Sequence, residues 1–107
     1  MQVIHHPRVA WDTARALVAA AGDDDLFRWY SGELGELLGV GSEQALHDTR
    51  DRLRRDTTGG RAMVEAGLWR VRLADALTTR PDLADPLRDL TTIATGRLHS
   101  RRAGLAA

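Results

Sequence analysis

Cysteine is absent from the chain, which excludes disulfide staples and thiolate metal sites and leaves a packed core as the source of stability. Lysine is absent too. All fifteen basic residues are arginine, a bias that, with abundant Ala and Gly, reads first as high-GC codon usage and second as carboxylate or phosphate recognition. Aromatic residues make up 5% of the chain and β-branched residues are few, a composition that favours helix over sheet. Neither sign of charge prevails: fifteen acidic residues balance the fifteen arginines, which argues against a whole-surface footprint for nucleic acid or an anionic membrane. No apolar run nears the roughly twenty residues of a membrane span, and the N-terminal MQVIHHPR lacks the apolar core of a signal peptide. A cytoplasmic protein with no membrane partner is the expectation.

What is present suits one domain. With 107 residues, 43% of them apolar, the chain can bury about two-thirds of its unfolded surface, and a single helical domain over 1–107 is expected. Trp11, Ala14, Val18 and Ala21 recur at helical spacing behind Pro7, so a first helix runs to Ala21 and stops at Gly22. Asp23, Asp24 and Asp25 cap a second helix, Leu26 to Leu38, which ELLGVG ends. Ser42 caps a third, reaching Asp56, whose thin apolar content places it across the outside of the bundle. Its Asp48 with Arg52 and Asp51 with Arg55 have the spacing of ion pairs along a solvated face.

After DTTGG a fourth helix runs from Arg61 to Thr79. Its polar arc holds Glu65, Arg72, Asp75 and Thr79, and its apolar surface is so wide that it reads as the central helix of the fold. Arg70 falls within that apolar surface and must snorkel outward or find a carboxylate. Arg80-Pro81 starts a short turn, and Asp85-Pro86 reads as an N-cap followed by proline at the first helical position. Leu83, Leu87, Leu90, Ala94 and Leu98 nevertheless keep one stripe, which predicts a kinked or two-part fifth helix, with 99–107 a frayed tail. The fold class is therefore all-α, a compact antiparallel bundle of four or five helices.

Chemistry is sparsely encoded. His5, His6, His47 and His99 lie in distant segments without ligand spacing, so no metal site and no cofactor is assigned. The carboxylates Asp23 to Asp25 and Glu33 with Glu36 read as cap and surface, and Ser31, Ser42 and Ser100 lack the context of a nucleophile; no catalytic residue is assigned. The turn Thr57 to Arg61 opens a helix N-terminus, where backbone N–H groups can hold a phosphate. Joined to it, Arg50, Arg52, Arg54, Arg55 and Arg61 form the basic stripe of an alternative reading, a small nucleic-acid-binding regulator, although Asp48, Asp51 and Asp56 cancel much of its field. A second alternative, a small-molecule-binding or catalytic bundle, needs a pocket lined by Tyr30, Trp11 or Trp69.

The second helix carries the favoured site. Leu26, Phe27, Tyr30, Leu34, Leu37 and Leu38 share a core stripe, whereas Trp29 stands off it beside Glu33 and Glu36, and Gly32, Gly35 and Gly39 cluster on the non-core side with Arg28. Each glycine costs about 1 kcal/mol of helix stability relative to alanine, so a thin backbone must be rewarded by a close neighbour. Arg28, Trp29, Gly32, Glu33, Gly35 and Glu36 are accordingly the expected interface with another protein or a second copy of the chain.

The segment GLWRVRLADALTTRPDLADPLRDL, with Trp69, Arg70, Arg72, Leu73, Leu83, Ala84, Leu87, Arg88 and Leu90, resembles small, uncharacterised helical proteins of high-GC bacteria. The upstream LGELLGVGSEQALHDTRDRL is similar to their Leu-Leu-Gly-x-Gly hinge and charged helix. This resemblance implies a helical accessory module and carries no catalytic residues with it. The expected function is that of a protein interaction or self-assembly module.

Overall fold

Asp23 begins the second helix as expected, accepting a hydrogen bond from the Leu26 N–H at 3.1 Å, with Asp24 and Asp25 in the first turn against the positive helix end. In the computed structural model, which describes the backbone of residues 6–106 and the side chains of residues 6–101, five α-helices follow one another. They are α1 (His6–Ala20), α2 (Asp24–Leu38), α3 (Val40–Arg55), α4 (Arg61–Thr79) and α5 (Ala84–Ala106). There is no strand among the described residues, and the chain is an all-α antiparallel bundle.

Two helix starts differ from the sequence reading. Gly39 takes a positive φ of 106°, a conformation glycine adopts without steric cost, and its carbonyl accepts the Ser42 and Glu43 N–H groups at 3.1 and 3.3 Å. α3 therefore starts at Val40 and Ser42 lies inside it rather than capping it. The turn expected at Arg80-Pro81 is a 3-10 turn over Pro81–Leu83, but α5 starts at Ala84, before Asp85, and is not divided at Pro86. Pro86 sits in the first turn of α5, where its missing N–H leaves no bond unmade. α5 then continues as helix through 99–106, the segment whose sequence has no period; Ala107 lies outside the described residues.

The central helix is α1 rather than α4. It packs against α4, α5 and α2, and it buries Val9, Ala10, Thr13, Ala14, Ala16, Leu17 and Ala20. Most of these are small, so three neighbours can approach one backbone closely. Around α1 the core is completed by Phe27, Tyr30 and Leu34 of α2, Trp69, Leu73 and Leu77 of α4, and Leu83, Leu87 and Ala94 from the C-terminal part. Buried hydroxyls pair across the helices. The Tyr30 hydroxyl is hydrogen-bonded to Thr91 Oγ1 at 2.8 Å, which in turn bonds Thr13 Oγ1 at 2.9 Å, tying α2, α5 and α1 together. Burial pushes the Tyr30 phenol up to about 12, although the hydrogen bonds from Thr91 and Thr13 oppose the rise.

α3 lies outermost, as its thin apolar content predicts, and buries only Leu46 and Thr49. Ion pairs supplement that packing. Asp24 of α2 receives Arg50 Nη2 at 3.0 Å and also pairs with Arg54. The expected pairs of Asp48 with Arg52 and Asp51 with Arg55 do not form among the described residues; Arg52 turns inward to α4 instead.

Candidate functional site

Glu65 is the most unusual residue of the interior. The helical wheel puts it on the solvent arc of α4, yet it is 0% exposed. Arg52 of α3 donates to Oε1 through Nε at 2.9 Å and Nη2 at 2.6 Å, and Arg61 donates to Oε2 through Nε at 3.1 Å with Nη2 3.0 Å away. Burial alone raises a carboxyl pKa; here the hydrogen bonds and charges of Arg52 and Arg61 outweigh it and hold Glu65 below the usual carboxylate range. The network extends to Thr49, whose Oγ1 accepts the Trp69 indole N–H at 2.7 Å and Arg52 Nη2 at 3.3 Å. This arrangement fastens α3 to α4. With its carboxylate fully committed to two guanidiniums, it offers no free acid or base.

The basic stripe of the nucleic-acid reading is largely absorbed by such pairs. Arg50 and Arg54 hold Asp24, while Arg52 and Arg61 hold Glu65; Arg55 makes no ion pair among the described residues. The N-terminus of α4 is likewise occupied from within. Asp56 accepts the N–H groups of Thr58 and Arg61 at 3.0 Å each, and the Thr58 hydroxyl at 2.8 Å. The anion at that helix end is the chain's own carboxylate, held below its ordinary pKa first by the Arg61 N–H and then by Thr58.

The aromatic residues named for a ligand pocket do not converge. Tyr30 and Trp69 are buried while Trp11 is exposed, on the outer side of α1, with the guanidiniums of Arg15 and Arg70 5.9 and 5.6 Å from its ring. Arg70 thus found an aromatic face, not a carboxylate. A shallow cleft of about 260 Å³ between α3 and α4 is lined by Asp48, Thr49, Arg52, Leu68, Trp69 and Arg72, among others. Three described histidines, His6, His47 and His99, belong to no metal-ligand cluster, and none occurs among the described residues. His5 lies outside them.

The favoured face of α2 is used within the monomer. Trp29 is half-buried, stacked on Tyr30 with ring centroids 6.2 Å apart, and Arg97 of α5 covers it at 4.2 Å. Gly35 is buried, and a Cβ there would meet Glu43 Cβ at 3.1 Å and Oε2 at 3.2 Å. The close neighbour that rewards this glycine is α3 itself. Gly32 differs, because nothing lies within 4 Å of a Cβ at that position. Glu33 is half-buried, and Arg28 and Glu36 are exposed on the same helix.

A different surface is left uncovered. α4 buries Glu65, Ala66, Trp69, Leu73 and Leu77 on one side. On the other, Met63 is 83% exposed, Val64 50%, Leu68 56% and Val71 54%. At 100° per residue these positions, with Gly67, span an arc of about 140° facing away from α1. The sequence held a signal for this: an apolar arc wider than one neighbour can cover means a second contact or an exposed face. The width that suggests a central helix is here an exposed face.

Fold and surface together define a class: an all-α bundle whose charged helix is latched by arginine–carboxylate pairs and whose fourth helix presents an apolar face outward. Among the described residues, no helix is long and apolar enough to cross a membrane. No family profile, curated protein or solved structure matches the chain.

Proposed function

We propose that this chain is a protein-protein interaction or self-assembly module that docks through the outward face of α4. The observation that carries the reading is the exposure of Met63, Val64, Leu68 and Val71 in one continuous arc. Four large apolar side chains on a single helix face exceed the scattered exposure that is normal for a monomer. This face replaces the α2 face as the preferred interface, because Arg97 and Glu43 already occupy the neighbourhood of Trp29 and Gly35. The exposed Arg28 and Glu36 can contribute at most a polar rim.

Leu68→Glu tests the proposal, since the side chain is more than half exposed and its replacement leaves the core intact. Pull-down from native extract and cross-linking of the purified chain should each lose their specific product in this variant while the helical circular dichroism is retained. A variant that keeps every partner and every cross-linked species of the parent refutes the assignment.

A further inference from the structure

Resting on that reading, we infer that the occupant of the α4 face is a second copy of this chain, packed antiparallel about a two-fold axis at Gly67 and Leu68. The face is self-complementary when reversed. Arg61, Leu68 and Asp75 are spaced by one heptad and so line up along the helix, with Val64 and Val71 beside them. In an antiparallel copy Val64 meets Val71 of the second chain, Leu68 sits over the Gly67 and Leu68 turn, and Arg61 comes opposite Asp75. A parallel copy would set Arg61 against Arg61 and Asp75 against Asp75.

Each group is available for this. Asp75 is exposed and makes no ion pair among the described residues. Arg61 gives Nε and Nη2 to Glu65 but its side chain is still 41% exposed, leaving Nη1 for a second carboxylate. Nothing lies within 4 Å of a Cβ at Gly67, so the helix has a hole where the Leu68 side chain of a copy fits as a knob. The zero net charge of the chain opposes no approach of like molecules.

The area sets the strength. The four apolar residues present roughly 400 Å² per copy, about half of the ~800 Å² per partner in a stable complex. Even with a polar rim an interface of this size is a weak, reversible one.

The test is sedimentation equilibrium of the full chain from micromolar to about millimolar concentration. The mass should rise from monomer toward dimer, Leu68→Glu should weaken the association at least about tenfold, and Asp75→Arg, which disturbs no ion pair of the monomer, should weaken it severalfold. Orientation is read by mixing a Val64→Cys chain with a Val71→Cys chain, each with a single thiol because the parent has none. A disulfide between the two different chains in preference to either homodimer is expected. Preference for the 64–64 and 71–71 products overturns the antiparallel arrangement, and a monomer at every concentration overturns the copy as occupant. If the chain stays monomeric yet Leu68→Glu abolishes capture of a partner from extract, the docking face stands and only its occupant was wrong. If neither changes, both readings fall.

Discussion

Replacing Glu65 with glutamine keeps the shape of the side chain and removes its charge, which isolates what the two arginines hold. Glu65 is fully buried, while the side chains of Arg52 and Arg61 are each 41% exposed. Removing one member of a fully buried ion pair costs about 3–5 kcal/mol because the remaining charge is stranded. Here the stranded guanidiniums can reach water, so the cost should fall to about 2–3 kcal/mol, with one amide oxygen still accepting. For a chain of this length that lowers Tm by roughly 10–20 °C. Urea denaturation at neutral pH measures it directly as a shift in midpoint at constant slope. The pH dependence supplies a second check. The native pKa of Glu65 is depressed, so its contribution is fully present above the unfolded value of about 4.3 and is lost as pH falls through the lower native value. Parent and Glu65→Gln should therefore converge in stability at acid pH. A cost below about 1 kcal/mol at pH 7, or a gap that persists unchanged into acid, would refute the claim that this carboxylate fastens α3 to α4.

Arg52→Lys keeps the positive charge but cannot reach both Glu65 and Thr49 with a planar fork, and a loss of about 1–2 kcal/mol in the same urea assay is expected. Gly32→Ala should stabilise by about 0.5–1 kcal/mol because it adds helix propensity in open space. Gly35→Ala should instead lose stability, since the new methyl lies 3.1 Å from Glu43 Cβ; equal Tm shifts in the two variants would contradict the packing of α3 over α2. Ultraviolet titration of the only tyrosine should show it un-ionised until pH approaches 12 in the folded protein. The stability it contributes is complete below the unfolded phenol value of about 10 and is lost as pH rises through the native one. Tyr30→Phe, which leaves Thr13 and Thr91 bonded to each other, should cost about 1 kcal/mol and remove that alkaline limb.

The helices were legible because their ends are written locally. Asp23, Gly22, Gly39 and the Thr57 to Gly60 turn act within four or five residues, the range over which capping and breaking operate. What the sequence hid depends on distant partners. A helical wheel assigns Glu65 to solvent because a carboxylate is polar, and it cannot register that Arg52 comes from another helix to neutralise it. The same wheel merges Leu73 and Val71 into one apolar surface, although the first is buried in the core and the second is 54% exposed. The glycines of α2 were rightly read as needing a neighbour at Gly35, but identifying α3 as that neighbour requires the hairpin geometry set by the positive φ of Gly39.

The all-arginine bias takes on a physical role that codon usage does not supply. Among the described residues, guanidiniums lie over aromatic rings in five pairs: Arg15 and Arg70 at Trp11, Arg50 at Phe27, Arg72 at Trp69 and Arg97 at Trp29. Such pairs occur about once per 70–80 residues in ordinary proteins, so a chain this short would carry one or two. Arg50 explains why lysine would not serve. Its Nη2 donates to Asp24 while its guanidinium carbon lies 5.3 Å from the centroid of the Phe27 ring. An ammonium could satisfy the carboxylate or the ring, but a flat, delocalised cation does both at once. α3, which buries little apolar surface, is held on the bundle by side chains of this kind. An arginine-rich helix here is therefore an adhesive of a fold with few large apolar groups: Arg50, Arg52 and Arg54 of α3 all pair with carboxylates of α2 and α4.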